Sequence, residues 1–298
     1  MRVVSWNIQF RGRDTAKRQG GLLRELAPDL MLLQELNPSA STVLADAAGA
    51  DWMVRAIDLR TPKPDDSRRR GVAIAGHGLR PCRSWLLDEI ALPERILLIE
   101  TQTEGTPFIA ASYHAPPGVT YGIVKPQQAV AFASWLSTQN GPLLFGADAN
   151  TPLIDAFDFA NTRTHWHTGN RHLHGEPGDD LLFGPSKVHD LDDALRRWLA
   201  LNPDEMNRLR AGRPLASPTR RGMKPEPPLA ITHRTGRRKN SLGTGRRFDS
   251  VWVTRHWEVR NIEHLYELGI AAGSDHAPVM VDLDLMAQPD RAGMPPGT

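Results

Sequence analysis

Short apolar runs recur along the chain, separated by segments with the character of amphipathic helices. A run of four to eight apolar residues bounded by turn-forming residues predicts a buried strand. Strands are predicted at Arg2–Ile8, Leu30–Leu33, Trp52–Ala56, Gly71–Ala75, Ile96–Thr101, Phe108–Ser112, Leu143–Phe145, Phe248–Thr254, Trp257–Ile262 and Pro278–Leu285. Helices are predicted at Thr15–Ala27, Ser39–Ala48, Pro126–Ser137 and Asp190–Leu201. The chain is therefore expected to contain many buried strands and fewer helices.

Several of these strands are bounded by polar side chains, which are costly to bury unless they are paired or bind a metal. The run Leu143–Phe145 leads to Asp148 and Asn150, which would point to the same side of an extended segment. The other polar residues at such boundaries are Asn7, Glu35, Tyr113, His114, Asp249, Asp275 and His276. A polar turn with a helix N-cap could explain one boundary alone. The recurrence of the pattern favours convergence on one site.

The residue types at these boundaries favour metal-assisted chemistry on an anionic substrate. Carboxylate and amide oxygens at an open site favour Mg²⁺ or Mn²⁺. A histidine beside a carboxylate suits a developing anionic transition state, because the acid fixes the tautomer and the charge of the ring. The combination is typical of a catalytic metal site.

The composition is that of an ordinary soluble globular protein, with 298 residues of which 40% are hydrophobic and 23% charged. No apolar run reaches 18 residues, so no membrane insertion is expected. The apolar run at the start of the sequence is too short for a secretory signal, so none is expected. The single cysteine, Cys82, excludes an internal disulfide framework and suits a reducing compartment, so we expect a cytoplasmic protein. No feature of the sequence calls for an obligate protein partner.

Charge is distributed unevenly along the chain. The segment Arg208–Arg247 carries a net charge of +11, which leaves −9 on the rest of a chain whose net charge is +2. Such a block favours a polyanionic partner or substrate. The alternative is a solvated basic loop without a partner.

A histidine-rich segment, Thr164–Asp180, precedes this basic block. Its spacing matches no closed zinc template and no cysteine accompanies it. It is interpreted as a polar loop at the rim of a substrate site, with a structural zinc site as the alternative.

Six motifs, taken in order, resemble the endonuclease/exonuclease/phosphatase superfamily. They are Trp6-Asn7, Gln34-Glu35, Tyr113-His114, Gly146-Ala147-Asp148-Ala149-Asn150, Arg247-Phe248-Asp249 and Gly273-Ser274-Asp275-His276. The resemblance covers residues 2–285 and implies an α+β fold, a four-layer αββα sandwich of two packed mixed β-sheets flanked by helices. It also implies a catalytic domain over residues 1–286, and residues 287–298 are expected to form a disordered tail.

The resemblance implies a role for each matching residue. The expected catalytic residues are Asp148, Asn150, His276, His114 and Asp249, and the expected ligands of Mg²⁺ (or Mn²⁺ as a substitute) are Glu35, Asn7 and Asp275. The expected substrate contacts are Tyr113, Arg247 and its neighbour Arg246. Family members carry either Tyr or His at the third motif, and neighbours in a strand point to opposite sides, which favours His114. Deoxyribonuclease pairs this histidine with a glutamate, but Ser67–Arg70 offers arginines instead.

The expected activity is metal-dependent phosphoester hydrolysis, with nucleic acid as the expected substrate because of the basic segment. One alternative is a phosphatase or phosphodiesterase acting on a small-molecule or lipid head-group phosphoester. Another is a catalytically silent module that binds nucleic acid. The choices between DNA and RNA, between endo- and exonuclease action, and between one metal and two stay open.

Overall fold

The computed structural model describes residues 1–9, 12–61, 70–87, 90–164, 178–211, 227–235 and 244–286. The expected tail at 287–298 lies outside the described residues. So do residues 165–177 of the histidine-rich segment, and residues 212–226 and 236–243 of the basic segment. The predictions made for those segments stay predictions.

The described strands and helices follow the predicted order closely. The strands are β1 (Arg2–Asn7), β2 (Leu30–Leu36), β3 (Trp52–Arg55), β4 (Gly71–Gly76), β5 (Arg83–Trp85), β6 (Ile96–Thr103), β7 (Thr106–His114), β8 (Leu143–Asp148), β9 (Asp192–Asp193), β10 (His233–Thr235), β11 (Thr244–Arg246), β12 (Asp249–Val253), β13 (Trp257–His264) and β14 (Val279–Leu285). The helices are α1 (Arg13–Leu26), α2 (Pro38–Ala48), α3 (Gly118–Tyr121), α4 (Val124–Ser137), α5 (Gly178–Phe183), α6 (Ala194–Leu201), α7 (Pro203–Ala211) and α8 (Tyr266–Ala272). No helix in the described part of the chain is long and apolar enough to cross a membrane.

The strands form two six-stranded sheets and one small ribbon. The first sheet has the order β13-β14-β1-β2-β4-β3, the second has the order β5-β6-β7-β8-β12-β9, and β10 pairs with β11. Within the sheets, β1 is parallel to β2 and β7 to β8, whereas the other pairs are antiparallel. Both large sheets are therefore mixed, as expected.

Alternation along the strands produces the layers, because successive side chains point to opposite faces of a sheet. Val3 of β1 packs into the core between the sheets, whereas Val4 and Trp6 pack with residues of α1 and α2 on the outer face. In the second sheet, Leu144 faces the inter-sheet core and Phe145 packs with residues of α4 and α5. The result is the predicted αββα sandwich, which confirms the expected fold.

Between the sheets, the side chains change from apolar to polar toward one rim. The inward residues in order toward this rim are Val3, Ser5 and Asn7 on β1, and Leu144, Gly146 and Asp148 on β8. The middle step is polar as well, because Gln34 donates to the hydroxyls of Ser5 and Ser112 at 3.3 and 3.1 Å. Polar groups that form hydrogen bonds to one another can stay buried. The change from apolar to polar side chains therefore allows a buried polar site at this rim.

One predicted helix begins later than the sequence indicates. The expectation was Asp190–Leu201, but Asp192 and Asp193 form β9, which pairs with β12, and α6 begins at Ala194. The Asp193 side chain accepts a hydrogen bond from the Leu195 amide at 3.0 Å and is the N-cap. Asp192 and Asp193, which were predicted to lie within the helix, are therefore strand residues, and Asp193 is also the N-cap of α6.

Candidate active site

Strand register places three of the predicted residues in one row across the second sheet. The parallel pairing of β7 with β8 sets His114 opposite Asp148, and the antiparallel pairing of β8 with β12 sets Asp148 opposite Asp249. All three are almost completely buried at the polar rim. Asn7, at the end of β1 in the first sheet, reaches across and donates to Asp148 Oδ2 at 2.8 Å. The site therefore joins both sheets.

His276 completes this row from the loop before β14. Its Nδ1 lies 2.8 Å from Asp249 Oδ2, and its Nε2 is 4.0 Å from Asp148 Oδ2. The His276 carbonyl accepts from the indole of Trp6 at 3.0 Å. At Gly269 of α8, a Cβ would lie 2.2 Å from the same carbonyl oxygen, so a residue without a side chain is needed there. His276 is thus fixed at both its backbone and its ring.

The charge state of His276 follows from its neighbours. Burial alone would lower its pKa, but the Asp249 and Asp148 carboxylates outweigh burial and raise the pKa to about 10. The ring is consequently an imidazolium at neutral pH. Burial raises the pKa of Asp249 above its ordinary range, and His276 opposes that rise. The pair is a buried ion pair whose Nε2–H is directed away from Asp249.

Asp148 is held as an anion between two imidazoles. Burial would raise its pKa, but His276 and His114, together with hydrogen bonds from Asn7 and from the Asn150 backbone, lower the pKa below its ordinary value. Its Oδ1 accepts from the Asn150 amide at 3.0 Å, and its Oδ2 lies 3.5 Å from His114 Nε2. Asp148 is therefore a buried carboxylate whose orientation is fixed by hydrogen bonds.

His114 is neutral, in contrast to His276. Burial and the Arg95 guanidinium lower its pKa to about 4. Nη1 of Arg95 lies 3.0 Å from His114 Nδ1. The opposite nitrogen, Nε2, is buried without a hydrogen-bond partner among the described residues and faces Glu35 Oε1 at 3.7 Å.

The predicted metal ligands lie at the same rim on segments with unusual backbone. Glu35 has a left-handed φ of 54° at an irregularity of the β2–β4 pairing, and its carboxylate forms an ion pair with Arg70. Gln9 links the other two predicted ligands, Asn7 and Asp275. Its backbone N–H donates to Asn7 Oδ1 at 2.9 Å, and its side-chain amide donates to Asp275 Oδ2 at 2.6 Å. Oδ1 of Asp275 is buried and has no hydrogen-bond partner in the described part of the chain. These oxygen donors fit a hard divalent cation.

Two tighter groups of acids and histidines share His276. One is Asp148, Asp249 and His276, and the other is His233, Asp275 and His276. Metal ligation requires a neutral imidazole, whereas the carboxylates hold His276 in its protonated form. The oxygen set of Glu35, Asn7 and Asp275 is therefore the better candidate.

Asn150 differs from the sequence expectation. Strand β8 ends at Asp148, and Asn150 has a left-handed φ of 47°, so it does not lie beside Asp148 on an extended strand. Its side-chain amide instead donates to the Ala115 carbonyl at 3.0 Å. Lys125 Nζ holds the Asn150 carbonyl at 3.1 Å and pairs with Asp179. Asn150 is still adjacent to Asp148, but through a turn.

The expected substrate contact by Tyr113 is wrong for this conformation. Tyr113 is fully buried on the outer face of the second sheet, where its ring stacks on Phe132 at 5.2 Å. The alternation of a strand directs Tyr113 and His114 to opposite faces. Only His114 reaches the rim, in agreement with the preference for it.

The expected substrate contact by Arg247 is also wrong. Arg247 is buried, and its guanidinium bonds to both oxygens of Asp155, at 2.7 and 3.0 Å, and to Asp193 at 2.6 Å. Arg246 is partly buried and donates to the Leu153 carbonyl. Both guanidinium groups bond to other parts of the protein and fasten the chain before Asp249.

Sequence reasoning missed two residues that touch the predicted site. Arg95 precedes β6, and His233 begins β10, where its ring stacks on His276 at 4.5 Å and its Nδ1 lies 3.1 Å from the Asp275 carbonyl. Arg95 lies directly before β6 and His233 is the first residue of β10, whereas most of the predicted site residues follow an apolar run. The hairpin register could have revealed Arg95, since the pairing of Ile96 with Tyr113 sets Arg95 beside His114.

The fold and this rim define a class of protein. The model of the Endonuclease/Exonuclease/phosphatase family matches residues 4–276, so the chain belongs to that family, as the motif resemblance predicted. Its members are generally divalent-metal-dependent phosphoester hydrolases. No curated relative matches the chain by sequence.

Solved structures share the fold at low sequence identity. D. rerio TDP2 complexed with single-strand DNA product is 13% identical, with a TM-score of 0.61 and coverage of 95% of this chain and 98% of that chain. The catalytic domain of human Nocturnin with bound sulfate is 16% identical, with a TM-score of 0.58 and coverage of 96% and 94%. An endonuclease/exonuclease/phosphatase protein from Bacteroides vulgatus is 12% identical, with a TM-score of 0.62 and coverage of 95% and 98%. At these identities the likeness establishes the fold alone.

Proposed function

We propose that this protein is a divalent-metal-dependent nuclease that hydrolyses phosphodiester bonds of nucleic acid. The observation that carries the proposal is the position of the anionic Asp148 carboxylate, with the cationic His276 ring 4.0 Å away on one side and His114 3.5 Å away on the other. An oriented carboxylate suits the activation of water, and the two ring N–H groups suit a phosphoryl oxygen that gains negative charge.

Each residue of the row has a role in this reaction. Asp148 orients the attacking water and takes its proton as the new bond to phosphorus forms. The bond from phosphorus to the leaving oxygen breaks in the same displacement, and that oxygen takes its proton from solvent. Asn7 and the Asn150 backbone amide hold the Asp148 carboxylate in place. Asn150 helps to position that water. His276, held by Asp249, and His114 donate hydrogen bonds to the non-bridging oxygens of the phosphoryl group.

Glu35, Asn7 and Asp275 would hold the cation, for which Mg²⁺ is proposed and Mn²⁺ is a substitute. When bound, such a cation supplies neutralisation of the phosphate and of the leaving oxygen. Arg70 pairs with one oxygen of the Glu35 carboxylate, Oε2, and the other oxygen, Oε1, faces His114 at 3.7 Å.

The basic segment supports nucleic acid as the substrate. Its net charge of +11 suits a polyphosphate backbone, and the TDP2 structure with single-strand DNA product has the same fold. A phosphatase or phosphodiesterase acting on a small or lipid phosphoester is the second candidate, because the family includes such hydrolases. A catalytically silent binding module stays the third. A cytoplasmic location without an obligate protein partner completes the proposal.

The test is cleavage of plasmid DNA and of single-stranded oligonucleotides by the purified protein with Mg²⁺ across a salt series. We expect cleavage that EDTA abolishes, that Mn²⁺ restores, and that weakens as salt rises because phosphate contacts are screened. Asp148→Asn should lose the cleavage. Asp284→Asn should keep the cleavage. It is the matched control because Asp284 is an exposed acid of β14 that forms an ion pair with Arg260 of β13.

Three outcomes would contradict the nuclease proposal. Cleavage that survives both EDTA and Asp148→Asn would indicate a contaminating enzyme. No cleavage of DNA or RNA, together with phosphate release from nucleotide, sugar or inositol phosphoesters, would favour the phosphatase candidate. Binding of nucleic acid without turnover of any substrate would favour the silent module.

A further inference from the structure

Arg95 contacts the proposed catalytic histidine from the side opposite to the reaction centre. It immediately precedes β6, and the pairing of Ile96 with Tyr113 sets it beside His114. Nη1 of Arg95 lies 3.0 Å from His114 Nδ1. The guanidinium also packs over the Tyr121 ring, 5.1 Å from its centroid, with Nη2 3.5 Å from the hydroxyl. The Arg95 side chain is thus held from two directions.

The chemistry of this contact leaves one assignment of the ring proton. A guanidinium has five N–H donors and no acceptor, and it does not lose its proton in proteins. His114 Nδ1 must therefore accept, and a neutral ring then carries its proton on Nε2. Nε2 is the buried atom without a partner among the described residues, and it faces the carboxylates of Glu35 and Asp148 at 3.7 and 3.5 Å.

We propose that Arg95 is a positioning residue that fixes His114 as the Nε2–H tautomer, so that His114 donates a hydrogen bond to a non-bridging oxygen of the bound phosphoester. This inference rests on the proposed phosphoester hydrolysis. A carboxylate beside Nδ1 would have the opposite effect, because it would favour the proton on Nδ1 and leave Nε2 as an acceptor. An acceptor at Nε2 would repel a phosphate oxygen.

The tautomer can be measured without any substrate. In protein labelled with ¹⁵N-histidine, the two ring nitrogens have distinct shifts, and His114→Gln identifies the His114 signals by their loss. We expect the wild-type protein to have Nε2–H at His114. Arg95→Lys, which keeps a donor without an acceptor, should preserve it, and Arg95→Glu should move the proton to Nδ1.

Kinetics of the same variants separate positioning from substrate binding. Arg95→Met should lower kcat by about 10- to 100-fold, by analogy with groups that orient metal-bound histidines, with little change in KM. Arg95→Lys should recover much of that loss. The matched control is Arg83→Met, because Arg83 is exposed on β5 and packs over an aromatic ring in the same way, 4.9 Å from the centroid of Trp85. The control should keep both kcat and KM.

Several outcomes would overturn the inference. Nδ1–H at His114 in the wild-type protein would do so at once, even if every Arg95 variant failed to fold. An unchanged tautomer and kcat in Arg95→Met would do so as well, and a rise in KM alone would make Arg95 a substrate contact. A wild-type protein with Nε2–H but no hydrolytic activity would contradict the proposed function and leave the tautomer assignment intact.

Discussion

The two imidazoles beside Asp148 differ in charge because their second nitrogens meet opposite partners. His276 Nδ1 faces the Asp249 carboxylate at 2.8 Å, which keeps the ring protonated, whereas His114 Nδ1 faces the Arg95 guanidinium at 3.0 Å, which keeps the ring neutral. One side of Asp148 is therefore cationic and the other is dipolar. A phosphoryl group bound there would meet two N–H donors of unequal strength.

Removing either the carboxylate or the imidazolium should slow the chemical step. We expect Asp148→Asn and His276→Gln each to lower kcat by about 10²–10⁴, which is the size of a general acid–base contribution. Single-turnover rates with Mg²⁺ measure the effect directly. Because Asp148 and His276 act on one transition state, the double variant should lose far less than the product of the two single losses.

Circular dichroism and thermal melting of the same variants provide the control for folding. Near wild-type turnover in both Asp148→Asn and His276→Gln would show that the proposed roles are wrong. A loss of turnover in His276→Gln but not in Asp148→Asn would show that a group other than Asp148 accepts the proton of the attacking water.

At the scale of secondary-structure elements, the site depends on how closely β1 and β8 approach each other. Gly146 of β8 lies against Ser5 of β1, where a Cβ would sit 2.4 Å from Ser5 Oγ and 2.9 Å from Leu32 Cδ1. Because Gly146 has no side chain, the two sheets can approach each other closely two residues before Asn7 on β1 and Asp148 on β8. The 2.8 Å hydrogen bond between those two residues crosses the same gap.

Gly146→Ala should therefore push the sheets apart and weaken both stability and activity. Overpacking of a close contact typically lowers the free energy of unfolding by about 1–3 kcal/mol. Urea unfolding gives the stability, and kcat should fall further than stability alone explains because the Asn7–Asp148 contact lengthens. Gly141→Ala, where no atom lies within 4 Å of the added Cβ, is the matched control.

The double variant Ser5→Gly with Gly146→Ala moves the single side chain to the other sheet and should recover part of the loss. A Gly146→Ala protein as stable and as active as the wild type would contradict this account of the sheet contact.

The site residues that lie at strand boundaries could be predicted from the sequence. The geometry of those that depend on turns or irregular strand pairing could not. Asn7, His114, Asp148 and Asp249 lie at strand ends or starts, and period-two alternation was enough to separate His114 from Tyr113. Asn150 was misjudged because its position depends on a left-handed turn that carries no strong sequence signal in Asp-Ala-Asn. The geometry of Glu35 likewise depends on an irregular pairing that periodicity does not reveal.

At the scale of the whole molecule, a buried ion network joins distant parts of the chain. Arg247, before β12, bonds to Asp155 in the loop after β8 and to Asp193 at the start of α6. Arg196 of α6 also pairs with Asp155. From sequence, the +11 block suggested that Arg247 meets solvent or substrate. Composition could not reveal that two acids far away in sequence neutralise this arginine in the interior.

The network predicts a defined dependence of stability on pH. Burial would raise the pKa of Asp155, but Arg247 and Arg196 outweigh burial and lower it from 3.8 to about 2. A lowered pKa in the folded state stabilises above the unfolded pKa, and this stabilisation is lost as pH falls from about 4 to about 2. The stability advantage of the wild type over Asp155→Asn should therefore shrink by about 2 kcal/mol across that window.

Urea unfolding followed by tryptophan fluorescence from pH 5 downward measures this difference. Asp284→Asn breaks an exposed ion pair with Arg260 and should show no comparable narrowing, since exposed pairs contribute little. If the difference in free energy of unfolding between the wild type and Asp155→Asn stayed the same at every pH, the assignment of Asp155 as the paired acid would be wrong.

Strands β1 and β14 also determine how the protein can be tethered. β1 starts at Arg2 and ends at Asn7 in the site, and antiparallel β14 runs away from His276, so Met1 N and Leu283 O meet at the far end at 2.8 Å. Six residues of strand span about 20 Å. A bead, a fluorophore or a fused domain attached at Met1 would therefore lie at the end of these strands away from the candidate active site, which suits immobilised or single-molecule assays.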